Sequence, residues 1–224
     1  MEAGTRITPR SARGIRTRGA LIAAARVVFE RDGYLDARMT DISAEAGVAV
    51  GSLYTYFTNK EEIFGAVAEQ VREEMLHPRL RQRTGVTDPR RLIDLANREY
   101  LRAYQKNARL MGLFEQVAQI DSGFRRLRID RSNAFVERNA TMIRELQQAG
   151  LADAELDPLI TAQALSGMVS RMAYTTFVLE SPVSFERLVT TLNRIWTNAL
   201  RLPPAPEPAP DPRPGLSGTN RHSR

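Results

Sequence analysis

Tyr54, Tyr56 and Lys60 stand close together at the end of the stretch Gly47-Val48-Ala49-Val50-Gly51-Ser52-Leu53-Tyr54-Thr55-Tyr56-Phe57-Thr58-Asn59-Lys60. Two phenolic hydroxyls and an ammonium group supply hydrogen-bond donors and a positive charge that suit phosphate oxygens. Groups that could do covalent or acid–base chemistry are sparse by comparison. The chain has 2 histidines, His77 and His222, and 0 cysteines, which excludes thiol catalysis, thiolate zinc sites and a disulfide framework. Carboxylates are spread along the chain without a distinctive spacing, so neither a catalytic constellation nor a metal or cofactor site is expected. Gly47 and Gly51 sit between helical segments rather than after a strand, which argues against a phosphate-cradling glycine loop. The chain does not read as an enzyme.

The elements that must position these groups follow from composition and periodicity. A hydrophobic fraction of 42% over 224 residues can fill a real core. Net charge is +6 and the isoelectric point is near 10.1, a balance that favours a polyanionic partner, either nucleic acid or an acidic membrane surface. No apolar run reaches the ~18 to 20 residues needed to cross a bilayer. The arginines Arg6, Arg10, Arg13, Arg16 and Arg18 precede an apolar segment interrupted by Arg26, which does not make a secretory signal. A cytoplasmic protein without a membrane partner is expected.

Residues 1–14 read as a basic arm. A first helix is predicted from Arg16 to Asp32, with Gly33 as its left-handed cap, and a second after Thr40, whose hydroxyl would cap it. Gly47 turns the chain into a short third helix, Val50 to Tyr56, with Leu53 and Phe57 packing inward beside Val48. Asn59 and Glu62 form a capping pair for a fourth helix that stops at His77-Pro78. An arginine-rich loop over 78–88 leads to Asp88-Pro89, a start signal repeated at Asp157-Pro158. Further helices are predicted around 108–120, from 122 to 149 with Ile129, Val136 and Ile143 at seven-residue intervals, and after Ser184. A proline-rich tail begins at Pro203. The sum is an all-α chain of about nine helices.

Helix, tight turn, helix is the arrangement that places its second helix in a DNA major groove. Residues 16–65 are specific in pattern, with Phe29-Glu30-Arg31-Asp32-Gly33-Tyr34, then Met39-Thr40-Asp41-Ile42-Ser43-Ala44-Glu45-Ala46-Gly47-Val48, then Leu53 to Glu62. This resembles the TetR family of bacterial transcriptional repressors. The resemblance implies a homodimer with an N-terminal DNA-binding head over 15–60 and a ligand-binding and dimerisation unit over 61–202, the fourth helix connecting them. It further implies a palindromic double-stranded operator, from which a small apolar or amphipathic effector releases the protein.

Within the head, Thr40, Tyr54, Tyr56 and Lys60 are expected at backbone phosphates. For Tyr54 a second reading, packing on the first helix, stays open. Base reading falls to Val50, Gly51, Ser52 and Thr55, which are short, so contact with thymine methyl groups and groove shape should dominate. The chain departs from the family where Ala49 and Val50 replace the usual hydroxyl and basic residues at the start of the recognition helix. Tyr100, Tyr104, Met111, Phe114, Phe135, Asn139, Met142, Met168 and Met172 could line an adaptable pocket or form plain core. Ala164, Gly167, Leu188, Leu192, Ile195 and Trp196 are candidates for the dimer interface or an internal core. Arg125, Arg126, Arg128 and Arg131 could attract an anionic effector or form a solvated face. The alternative function is a helical-bundle carrier of small molecules or lipids without sequence-specific DNA binding.

Overall fold

The computed structural model describes residues 11–76 and 87–204. Residues 1–10 of the arm, the His77-Pro78 stop, the arginine-rich loop up to residue 86 and the tail from residue 205 lie outside the described residues. Nine helices and no strand occur among the described residues: α1 (Ala12–Asp36), α2 (Met39–Glu45), α3 (Val50–Tyr56), α4 (Lys60–Leu76), α5 (Pro89–Lys106), α6 (Ala108–Ile120), α7 (Ser122–Gln148), α8 (Pro158–Phe177) and α9 (Phe185–Ala199).

Side-chain caps fix most of the boundaries. Asp88 accepts from Arg90 N at 3.0 Å and Asp157 from Ile160 N at 2.8 Å, each with proline opening the helix. Asn59 Oδ1 accepts from Glu62 N at 2.8 Å, while Glu62 reaches one residue further back than a standard capping box, to Thr58 N at 2.8 Å. Helix α1 starts four residues before the predicted Arg16, because Ser11 Oγ accepts from Gly14 N at 3.1 Å and nucleates the first turn. Gly33 does take positive φ, but its φ 78 and ψ 178 kink α1 instead of ending it, and the chain continues helical to Asp36. That conformation is open to glycine alone.

Two apolar clusters form the interior. The first joins the head to the body: Leu21, Val28 and Phe29 of α1, Ile42, Leu53 and Phe57 of the helix-turn-helix, and Phe64 and Val67 of α4 meet Phe114 and Val117 of α6 and Phe124 of α7. Phe64 is its hub, with ring centroids 4.7 Å from Tyr34, 5.0 Å from Phe29, 5.4 Å from Phe114 and 5.0 Å from Phe124. The second cluster holds α5, α7, α8 and α9 together through Leu101, Ile143, Leu165, Leu192 and Trp196. Of the predicted α7 heptad, Val136 and Ile143 are buried, but Ile129 is 51% exposed.

Candidate DNA interface and body cavity

Gly47 stands at φ 66, the left-handed geometry that lets the chain turn sharply between α2 and α3. Val48 N then bonds Ser43 O at 3.0 Å and locks the turn. Leu53 and Phe57 are buried, with Val48 packed beside them, as their spacing predicts. The same anchoring leaves Val50, Gly51, Ser52, Tyr54 and Thr55 exposed as one continuous outer surface of α3. No side chain caps α3 at Ala49, a loss worth about 1 kcal/mol to a helix.

The candidate phosphate contacts are placed unequally. Tyr54 is 51% exposed, whereas Tyr56 is half-buried against the head core. Thr40 is the second residue of α2 and exposed, and Arg38 occupies the cap position without a side-chain bond. Thr40 is therefore not the N-cap the sequence suggested: the helix begins one residue before it. Lys60 turns back towards α1, donating to Leu35 O at 2.9 Å and Ala37 O at 3.1 Å, with its ammonium 4.8 Å from the Tyr34 ring centroid. An ammonium group has three donors. Two are committed to carbonyls, and one remains for an anion.

The body holds a partly open cavity of about 260 Å³. Its walls are Leu92, Ile93, Ala96, Asn97 and Tyr100 of α5, Phe135, Arg138, Asn139 and Met142 of α7, Ser166 and Val169 of α8, Trp196 of α9 and Met75 of α4. Four of the nine sequence candidates, Tyr100, Phe135, Asn139 and Met142, line it. Tyr104, Met111, Phe114, Met168 and Met172 do not: Tyr104 is buried in the body core, Met168 and Met172 pack on that core, Phe114 belongs to the aromatic junction, and Met111 spans both clusters. Asn139 donates to Ser166 Oγ at 2.9 Å, and Asn97 donates to Asn193 Oδ1 at 2.8 Å. Burial pushes the Tyr100 hydroxyl well above its ordinary pKa.

Trp196 takes the internal-core alternative left open for its group. Of the six residues open to a dimer interface or an internal core, α9 turns Leu188, Leu192 and Trp196 inward at four-residue spacing, while Ile195, Ala164 and Gly167 are exposed. The indole Nε1–H is buried without an acceptor, a state that costs about 1–3 kcal/mol. Asn97, a polar residue in the buried stripe of Ile93, Leu101 and Tyr104, was the readable sign that this stripe faces something other than plain core. In the arginine run of α7, Arg125 caps α6 by donating to Ala118 O at 2.7 Å and Gln119 O at 2.9 Å, and Arg128 pairs with Glu115 at 2.7 Å. These two arginines hold α6 to α7, and the Arg131 side chain lies outside the described residues.

A larger cleft of about 460 Å³ lies between head and body, bordered by Arg18, Tyr34, Glu61, Glu62, Asp121 and Leu127. Its mixed charges make it a poor match for an apolar effector. No group of histidines, cysteines or carboxylates among the described residues could hold a metal ion, and no described helix is long and apolar enough to cross a membrane.

The head and the body each match a known family. Residues 21–67 match the description "Bacterial regulatory proteins, tetR family", and residues 95–201 match "Transcriptional regulator EthR, C-terminal domain". The chain belongs to the TetR family of DNA-binding transcriptional regulators, which are not enzymes. Solved structures share the fold. A transcriptional regulator from Rhodococcus sp. Rha1 is 21% identical, with a TM-score of 0.67 over 82% of this chain and 96% of that one. SmeT, the repressor of the Stenotrophomonas maltophilia multidrug efflux pump SmeDEF, is 20% identical, with a TM-score of 0.68 over 88% and 97%. The fatty acid degradation regulator FadR from Bacillus halodurans is 19% identical, with a TM-score of 0.67 over 84% and 97%. No curated protein matches the sequence.

Proposed function

We propose that this regulator is a cytoplasmic repressor that binds a palindromic operator as a homodimer and leaves it when a small apolar or amphipathic effector fills the body cavity. The observation that carries the DNA-binding half is the outer surface of α3, where Val50, Gly51, Ser52, Tyr54 and Thr55 are exposed over a buried Leu53 and Phe57 anchor. Thr55 donates its hydroxyl hydrogen to Gly51 O at 3.2 Å, so it meets DNA with a methyl group and an acceptor. Together with Val50 this favours thymine methyl groups over guanine. Tyr54, Tyr56, Thr40 and the remaining Lys60 donor serve the phosphates on either side.

Dimerisation is assigned to the exposed stripe Ile160, Ala164 and Gly167 on α8 and to the exposed Ile195 of α9. Residues four and three apart share a helix face, and small side chains allow a close partner. Repression is supported by the shared fold of the Stenotrophomonas repressor and by simple occlusion of a promoter.

Effector release follows from Met75. It lines the cavity and packs on both interior clusters, at the opposite end of α4 from Lys60. A ligand that displaces Met75 favours a conformation in which α4, and the heads with it, are differently spaced. Selection from random duplexes tests the reading. A palindrome with A·T-rich half-sites is expected, and either guanine-dominated positions facing α3 or no sequence preference would count against it. Sedimentation at micromolar concentration should show a dimer.

A further inference from the structure

The cleft of about 460 Å³ between head and body is walled by α1 and α4 on one side and by α6 and α7 on the other. Its lining sets three carboxylates, Glu61, Glu62 and Asp121, against the single guanidinium of Arg18, a sign opposite to the chain's net charge of +6. The Arg18 group is drawn to the end of α3, where it lies 5.1 Å from the centroid of the Phe57 ring. Glu61 Oε1 accepts from the Tyr34 hydroxyl at 3.2 Å, and Asp121 Oδ1 accepts from Phe124 N. The second oxygen of each has no partner among the described residues. Burial, then Glu61, then Asp121 push the Tyr34 hydroxyl above its ordinary pKa, so both carboxylates stand around one phenol. Leu127 at 36% exposure, with what remains open of Tyr34 and Phe124, gives the cleft an accessible apolar floor.

Gly65 is an independent sign that this space is kept open. It follows Glu61 by four residues, on the same face of α4, and lines the cleft. A glycine inside a helix weakens it relative to alanine. Neither a positive φ nor a close neighbour calls for one here, since an added Cβ would meet nothing within 4 Å. What the missing side chain leaves is room beside Glu61.

We infer that this cleft is a ligand site separate from the body cavity, and that it takes an organic ammonium ion carrying an apolar ring system. The N–H donors of the ion are received by Glu61 and Asp121 in charge-assisted hydrogen bonds, and its rings lie on the apolar floor against Gly65. A cavity of roughly 150 Å³ accommodates benzene, so about 460 Å³ leaves room for two fused rings with a short aminoalkyl arm. Such a ligand touches helices of the head and of the body at once. The operator and body-cavity readings do not depend on it.

The test uses the full-length protein and three probes of similar shape: naphthylethylamine, protonated at neutral pH, the uncharged naphthylethanol and the anionic naphthylacetate. Calorimetry is expected to give about tenfold tighter binding of the amine than of the alcohol, with the carboxylate weakest. Glu61→Gln and Asp121→Asn remove charge while keeping acceptors for the Tyr34 hydroxyl and for Phe124 N, and each should remove most of that preference. Gly65→Leu fills the cleft from a position where the helix gains by losing glycine, so it should abolish amine binding without lowering the urea midpoint. Should that variant not fold, the two charge variants decide. Equal affinities for amine and alcohol, tighter binding of the carboxylate, or no amine binding at millimolar concentration would overturn the inference. So would an amine preference that survives both charge variants or a folded Gly65→Leu. Each of those results leaves the operator and body-cavity readings standing.

Discussion

Arg26 of α1 donates to Asn107 Oδ1 at 2.6 Å, tying the DNA-binding head to the junction between α5 and α6. Arg26 also reaches Glu30 and Glu74, both at 3.2 Å, and Glu74 in turn meets Lys106 at 3.1 Å. Asn107 is almost wholly buried, and its amide is aimed by donating to Ala103 O at 2.8 Å. Asn107→Ala is therefore expected to destabilise the fold by about 1–3 kcal/mol, because it strips a buried acceptor from a charged donor. Lys106→Ala should cost no more than about 1 kcal/mol, since that ion pair is solvated. Urea denaturation of the two variants side by side distinguishes them, and equal midpoints would mean that Asn107 is not a joint.

Lys60 is expected to show two effects at once. Its two carbonyl bonds hold the end of α1, so Lys60→Ala should lower the denaturation midpoint. If its third donor also neutralises a phosphate, the slope of log affinity against log salt should flatten by about one unit, with all DNA sequences weakened alike. A lowered midpoint with an unchanged slope would make Lys60 a structural clamp alone.

Legibility differed between local and tertiary features. Asp88-Pro89, Asp157-Pro158, Ser184 and Asn59 with Glu62 could be read because a cap is a short-range bond between residues two or three apart. The inward face of α3 was legible too, since Leu53 and Phe57 leave one choice. Thr40 missed the cap by two positions because Arg38 took it with no side-chain bond to mark it. Trp196 and Ile195 are adjacent and both apolar, yet one is 4% exposed and the other 40%. Only the position of α5 against α9 separates them. Phe114 could not be assigned to the head–body junction from spacing either, because its partners Phe64 and Phe124 lie on other helices.

Phe64 gives the severest test of that junction. Its ring meets four others drawn from α1, α6 and α7, and no single neighbour can collapse into the space it fills. Phe64→Ala is expected to cost about 3–5 kcal/mol. Phe64→Leu, which keeps most of the volume, should cost substantially less. Thermal melts of both variants would check this, and DNA affinity of the Leu variant would show whether ring geometry at the junction also sets the head position.

The last prediction concerns alkaline pH. Tyr34, Tyr100 and Tyr104 all have hydroxyls pushed above the ordinary tyrosine range, first by burial. For Tyr34 the nearby Glu61 carboxylate, 3.2 Å from the hydroxyl, adds to the shift. A raised folded pKa means that folding favours the neutral phenol. Its stabilising contribution is complete below the unfolded value of about 10 and is lost as pH climbs from there through the raised folded values. Above about pH 10 the unfolded chain releases protons that the folded chain retains, so the urea midpoint should fall steeply there while staying flat with respect to these groups at lower pH. Phenolate absorbance of the folded protein at about pH 11 should stay below that of the urea-unfolded chain. Tyr34→Phe removes one of the three groups and should make the alkaline fall shallower, at the cost of the Glu61 hydrogen bond at neutral pH. A fall as steep as in the original chain would mean that Tyr34 ionises as freely folded as unfolded.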